Sequence, residues 1–185
     1  GWTMLGTVLA GALEPEKARD AFAKALQLKP LQPRVLLSMG HVEKTIGDSR
    51  ASEIAYDEAF RIDPSLGEAM WSKADLKTYR FRPEEIEAMN RQLGKDISNT
   101  SDVAAFHFAL GKAYEDDQAY ELSFSHYQSG NSIKAELEPF PMEEFKSRNK
   151  QIRSAFSNPS KNVKGAHESP TPIFLSLIHI SEPTR

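Results

Sequence analysis

An interval of 34 residues constrains this chain more than any other feature of its sequence. It relates four pairs of small, aromatic or helix-ending residues: Gly6 and Gly40, Phe22 and Tyr56, Ala25 and Ala59, Pro30 and Pro64. A repeat of this length with two helices per unit is typical of a helical solenoid, in which each hairpin buries its apolar face against its neighbours. We therefore predict an all-α fold of stacked helical hairpins.

Composition limits the class of protein without naming a function. The 185 residues include 23 Lys and Arg against 26 Asp and Glu, mixed along the chain, so we expect no nucleic-acid partner. No run of apolar residues is long enough to cross a bilayer, and no membrane association is expected. The chain has no Cys, which excludes disulfides and thiolate zinc sites and fits the cytoplasmic location that we expect.

Two regular units are predicted, at residues 1–32 and 33–66. In each, a glycine on the first helix lets the facing helix approach closely, and an aromatic residue on the second helix fills the gap. Pro30 and Pro64 end the second helices, because proline has no N–H to donate and disfavours helix at the residue before it. In unit two, Ser52 replaces the small Ala18 of unit one.

The third unit, residues 67–101, is irregular. Its first helix is expected over residues 66–79, with Ala74 in place of the repeated glycine. Pro83, followed by two acids, predicts a displaced second helix that ends near Leu93. A polar connector then leads to the fourth unit.

The pattern returns in the fourth unit, residues 102–137. Leu110 and Gly111 lie on its first helix, and Tyr127 and Gly130 stand at the aromatic and small positions of its second. A further helix is expected over 142–156, within a capping or bridging segment at 138–157. The solenoid is therefore predicted to be interrupted and then resumed.

The first unit resembles the tetratricopeptide repeat (TPR), on Trp2, Leu5, Gly6, Ala18, Phe22, Ala25 and Pro30. Two further stretches resemble the final repeats of bacterial TPR-containing sulfotransferases. They read ADLKTYRF at 74–81 and, over 106–131, FHFALGKAYED followed by SHY and GN. The resemblance implies an intact protein that transfers sulfate from the co-substrate PAPS to an unknown acceptor. It places no catalytic, cofactor-binding or metal residue in this part of the protein.

The end of the chain is expected to lie outside the repeats. Residues 158–174 have a linker composition and close with PTPIF, which resembles the first strand of the sulfotransferase domain in that family. Residues 175–185 contain no Gly for the phosphate loop that follows in the family, and they look like the in-frame translation of a sequencing adapter. We interpret these residues as an artefact, and we expect native sequence to be missing at both ends of the chain. The sequence does not decide whether the native protein begins with a signal peptide.

Several residues invite a chemical interpretation, and a structural one is preferred for each. Gly111 and Lys112 lack the earlier glycine of a phosphate loop, and the acidic run 115–117 fits a solvated helix end. His107 and His126 fall on facing helices without a third ligand, so packing or a cross-helix hydrogen bond is expected rather than a metal site. The Ser176 to His179 segment lies in the suspected artefact.

Trp71 is the aromatic residue most compatible with binding, because it stands one step off the regular packing position. A clamp for a peptide carboxylate is not expected, since Thr7, His41 and Asp75 occupy the positions where Lys and Asn are needed.

The leading hypothesis is a TPR module that docks on its own sulfotransferase domain. The alternative is a free-standing scaffold for peptides or partner proteins. Self-association remains open, and an autonomous enzyme would have to bind PAPS, which we do not expect.

Overall fold

The computed structural model describes residues 1–95 and 97–156. Within these residues every regular element is a helix and there is no strand, which confirms the all-α prediction. The helices are α1 Trp2–Gly11, α2 Pro15–Leu28, α3 Pro33–Ile46, α4 Ser49–Ile62, α5 Gly67–Ala74, α6 Pro83–Leu93, α7 Thr100–Asp116, α8 Tyr120–Leu137 and α9 Met142–Phe156. The chain divides into two units, Gly1–Phe140 and Pro141–Arg185, and α9 is the described part of the second.

The first four helices form two hairpins that pack in chain order. Helix α1 packs on α2, α3 on α4, and α2 joins the two hairpins by packing on α3. The turn of the second hairpin is short because Gly47 ends α3 with a left-handed φ of 98° and Asp48 caps α4 by accepting the Ala51 N–H at 2.9 Å. Local sequence therefore sets where each helix begins and ends.

One glycine–aromatic contact recurs in three hairpins. A Cβ atom built on Gly6 would lie 2.6 Å from Cε1 of Phe22, and one built on Gly111 would lie 2.8 Å from Cε1 of Tyr127. A Cβ on Gly40 would likewise overlap the ring of Tyr56. In all three hairpins the aromatic residue follows its glycine by 16 positions. The same close approach is therefore built three times from the same local pattern.

A second contact marks the same equivalence. Ser52 Oγ donates to the Gly40 carbonyl at 2.7 Å, and Ser123 Oγ donates to the Gly111 carbonyl at 2.8 Å. Both serines are buried and follow their glycine by 12 residues, the place that Ala18 fills in the first hairpin. The fourth predicted unit thus repeats the second in detail.

Among the described residues, the core consists of three clusters in chain order rather than one centre. The first joins α2 and α3 through Ala18, Phe22, Ala25, Val35 and Val42. The second continues through Leu37, Tyr56, Ala59, Leu66 and Ala69, and the third through Met70, Ala74, Phe81, Met89, Phe106, Ala109, Leu110 and Ala113. A row of neighbouring clusters is what stacked helical pairs produce.

The third unit differs from its prediction in one helix. Helix α5 ends at Ala74 instead of near residue 79, because the chain turns at Lys77, whose φ is 59°, and brings Phe81 back into the core. Helix α6 has the predicted bounds, but it packs on α7, and α5 also packs directly on α7. The displaced segment therefore lets the first helices of units three and four meet.

The remaining predictions divide at residue 156. The helix expected over 142–156 is present as α9. The linker at 158–174, the PTPIF segment and the suspected artefact at 175–185 lie outside the described residues. In the described part of the chain, none of the helices combines the length and the apolar character that crossing a membrane requires.

Candidate interaction site

A cavity of about 280 Å³ opens between α5, α7 and α8. Its aromatic wall is formed by Trp71 and Phe108, whose ring centroids are 5.4 Å apart. Trp71 keeps 36% of its surface exposed, so the indole borders both the cavity and solvent. The sequence singled out Trp71, and the structure places it in the lining of this cavity.

The start of α5 is tied closely to α7, and this contact shapes the cavity. A Cβ on Gly67 would overlap the Asp102 backbone, so only glycine permits the approach. The buried Asp102 carboxylate accepts the Glu68 N–H at 3.1 Å and the Asn99 side-chain amide at 2.5 Å. A carboxylate at the N-terminus of a helix also interacts favourably with the helix dipole. The Glu68 side chain is thereby held at the cavity edge.

An ionic cluster centred on the buried Lys73 side chain supports the other side of α5. The Lys73 side chain is fully buried, and its Nζ donates to Asp57 at 2.5 Å and to Glu85 at 2.6 Å. The same ammonium lies 4.1 Å from the centre of the Tyr79 ring, and the Tyr79 hydroxyl donates to Glu85 at 2.7 Å. These contacts join α4, α5, the segment that precedes α6, and α6 itself.

The ionisation of this cluster follows from its hydrogen bonds. Burial by itself would raise the pKa of Glu85, but bonds from Lys73, Tyr79 and the Arg82 backbone outweigh it and lower that pKa to about 2. Burial would lower the pKa of Lys73, yet its bonds to Asp57 and Glu85 raise it above the usual value. Both groups are therefore charged across the physiological range, and the cluster is a structural ion pair rather than a proton donor or acceptor.

The two histidines of the fourth unit meet across α7 and α8. His107 Nδ1 and His126 Nδ1 are 3.0 Å apart, and the His126 ring stacks on Tyr114 at 5.4 Å. Burial lowers the pKa of both imidazoles, and the neighbouring His107 lowers that of His126 further. Nowhere in the described residues do three His, Asp or Glu side chains come close enough to hold a metal ion. The geometry is that of a cross-helix hydrogen bond.

The other residues considered in the sequence are engaged in local contacts. Lys112 pairs with Asp116 at 2.5 Å one turn further along α7, and Glu115 accepts the Tyr127 hydroxyl at 2.9 Å. His41 hydrogen-bonds the Tyr56 hydroxyl at 3.1 Å.

The remaining two positions considered for a carboxylate clamp are also engaged. Asp75 pairs with Lys44, and the Thr7 hydroxyl donates to the Thr3 carbonyl at 3.1 Å. None of these groups is brought to the cavity at Trp71.

Sequence reasoning missed Lys73, Glu68 and Phe108. Lys73 looks like an ordinary surface lysine in the sequence, and its partners Asp57 and Glu85 stand 16 and 12 residues away. Phe108 was part of a family motif without a role of its own. A charged residue within an otherwise apolar helical face was the available signal for Lys73.

Comparison with protein-family models finds no match for this chain, and comparison with curated proteins finds no relative of significant similarity.

Proposed function

We propose that this chain is a TPR-type protein-interaction module, and that in the intact protein it serves a PAPS-dependent sulfotransferase. The observation that carries the first part is the glycine–aromatic contact repeated at one spacing in three hairpins. Hairpins stacked in this way bury their apolar faces against each other, and their outer faces form an extended surface that partners can bind. The cavity beside Trp71 is a concave feature at which a partner could bind.

The sulfotransferase part of the proposal rests on the resemblance of residues 74–81 and 106–131 to that family. Both segments perform specific structural roles in this fold, which supports treating them as motifs rather than chance similarity. Tyr79 and Phe81 anchor the displaced segment, and Gly111 and Tyr127 form the third glycine–aromatic contact. The role proposed for the module is to dock on the transferase domain and orient an acceptor or a second subunit.

The uninterrupted gene and its product test this proposal. We expect a Gly-rich loop with Ser or Thr soon after Phe174, and we expect the intact protein to move labelled sulfate from PAPS to an acceptor in a cell extract. A native sequence without that loop would refute the sulfotransferase part. The present chain alone is expected to show no heat of PAPS binding by calorimetry, and tight binding would overturn the assignment of catalysis to a separate domain.

The second candidate is a free-standing scaffold, and the exposed aromatic wall at Trp71 is the observation that favours it. This function predicts that residues 1–157 capture a stoichiometric partner from a lysate in which the transferase domain is absent. Failure to enrich any protein would count against the scaffold and leave the sulfotransferase module in place.

A further inference from the structure

The aromatic wall of the cavity is held in place by packing against α8. Trp71 leans on Phe108 with 46° between the ring planes, and Phe108 in turn packs against Gly130, where a Cβ would lie only 3.0 Å from Cε1. Phe108 is thus held between α5 and α8. The indole is a preformed surface, and among aromatic rings tryptophan attracts a cation most strongly.

The charges around the cavity favour a cation. Glu68 is exposed at its edge, and its carboxylate makes no hydrogen bond or ion pair within the described residues, although its charge partly offsets the burial that lowers the pKa of His41. Asp102 adds a second negative charge in the lining. Lys134 is the positive group of the lining, but its ammonium pairs with Glu138 at 2.8 Å. The available charge that faces a ligand is therefore the Glu68 carboxylate.

An anionic ligand would find no uncommitted cationic donor among the described residues of the lining. The Asn99 amide is already donated to Asp102, and the Ser101 N–H is donated to the Asn99 side-chain oxygen at 3.1 Å. Lys134 would have to leave Glu138 before it bound an anion. The Lys134 ammonium and the Asn99 amide are thus committed, whereas the Glu68 carboxylate is free, and the donors left for an anion are two neutral groups, the Ser101 hydroxyl and the Trp71 indole N–H.

The size of the cavity and the shape of its aromatic wall favour the cationic side chain of arginine. At about 280 Å³ the cavity is at the lower end of the range of roughly 300–1,000 Å³ for small-molecule sites, a size that suits a single side chain. A guanidinium group is flat, stacks on an aromatic face and forms paired hydrogen bonds with a carboxylate, whereas an ammonium is a strongly hydrated point charge. We propose that this cavity binds an arginine side chain of a partner protein, with the guanidinium between the Trp71 indole and the Glu68 carboxylate. The inference rests on the proposed function as an interaction module.

Nuclear magnetic resonance of the full chain tests the proposal directly. The probe is the peptide acetyl-Ser-Gly-Arg-Gly-Ser-amide, and its control replaces arginine by citrulline, which keeps the shape and removes the charge. We expect the arginine peptide to shift the indole N–H signal of Trp71 in a saturable way while Trp2 stays unmoved. The citrulline peptide is expected to bind at least about threefold more weakly, as loss of a cation–π contact implies.

Two variants separate the site from general surface attraction. Glu68→Gln is expected to weaken the arginine peptide at least about threefold, while the control Glu87→Gln on α6, whose carboxylate pairs with Arg91 away from the cavity, leaves it unchanged. Trp71→Leu is expected to abolish the saturable binding. Trp71 also packs on Phe108, so replacing it removes a structural contact as well as the aromatic wall. If Trp71→Leu folds poorly, the affinity of Glu68→Gln decides whether the arginine site exists.

Equal binding of the two peptides, or an unchanged affinity in Glu68→Gln, would overturn the arginine site. Either result leaves the proposed function standing, because sulfate transfer by the intact protein and capture of a partner are measured separately. If the protein showed neither sulfate transfer nor partner capture but still bound the arginine peptide, the proposed function would be refuted and the arginine site would stand.

Discussion

The first two hairpins and the third unit are held together in different ways. In the hairpins, a glycine receives an aromatic ring from the facing helix, and the clusters between helices are apolar. In the third unit, the fully buried Lys73 binds carboxylates from two other helices. The regular hairpins rely on shape complementarity, whereas the third unit adds to its apolar cluster an ionic cluster centred on one buried ammonium.

The largest expected effect is the loss of the Lys73 charge. Lys73→Met should lower the free energy of unfolding by about 2–3 kcal/mol, because the half-buried Glu85 carboxylate loses its ammonium partner and keeps only the bonds from Tyr79 and Arg82. Urea denaturation measures the loss, and hydrogen exchange should show it concentrated in α6 rather than in α1–α3. The control Lys17→Met removes an exposed pair with Glu14 and should cost less than about 0.5 kcal/mol. Equal stability of Lys73→Met and the parent chain would show that the cluster does not hold the third unit.

The second effect concerns the regular hairpins. Gly40→Ala should destabilise the protein by about 1–2 kcal/mol, since overlap with the Tyr56 ring outweighs the better helix propensity of alanine. Thermal unfolding measures it. Gly11→Ala is the matched control, because its Cβ would have no neighbouring atom within 4 Å and should be neutral or slightly stabilising. A neutral Gly40→Ala would mean that the repeated glycine does not set the helix separation.

A smaller effect is expected at the serine position of the repeat. Ser52→Ala should cost about 1 kcal/mol or less, because it removes one buried hydrogen bond to the Gly40 carbonyl and Ala18 already fills the same position in unit one. Ser123→Ala should behave alike in the fourth unit. The two unfolding midpoints, compared with that of Ser38→Ala, whose hydroxyl bonds only its own helix, check this. A large difference between the two buried serines would contradict their equivalence.

The smallest effect is the pH response of the histidine pair. Because the pKa of each imidazole is lower in the folded chain than in the unfolded one, the unfolded chain takes up more protons, and stability should fall as the pH drops below about 6.5. His126→Gln should flatten this part of the melting-temperature profile between pH 7.5 and 5.5. A profile of unchanged slope would show that the pair titrates normally.

Much of the fold was readable from the sequence because its determinants are local. Pro83 predicted the start of α6, and the return of Gly111 and Tyr127 predicted the fourth hairpin. The prediction for α5 was wrong at its end, because apolar periodicity continues past Ala74 while the backbone turns at Lys77 to bury Phe81. Tertiary contacts overrode the local preference there.

The sequence alone determined that this protein is helical, that its first two units are related by 34 residues and that the third unit departs from the rest. These properties follow from prolines, small residues and apolar spacing, which act within one or two helical turns or one hairpin. The tertiary structure alone decided that Lys73 is buried and that Glu68, Trp71 and Phe108 border one cavity. The burial of a charge and the shape of a cavity depend on which distant segments pack together, and that choice is made by the whole chain.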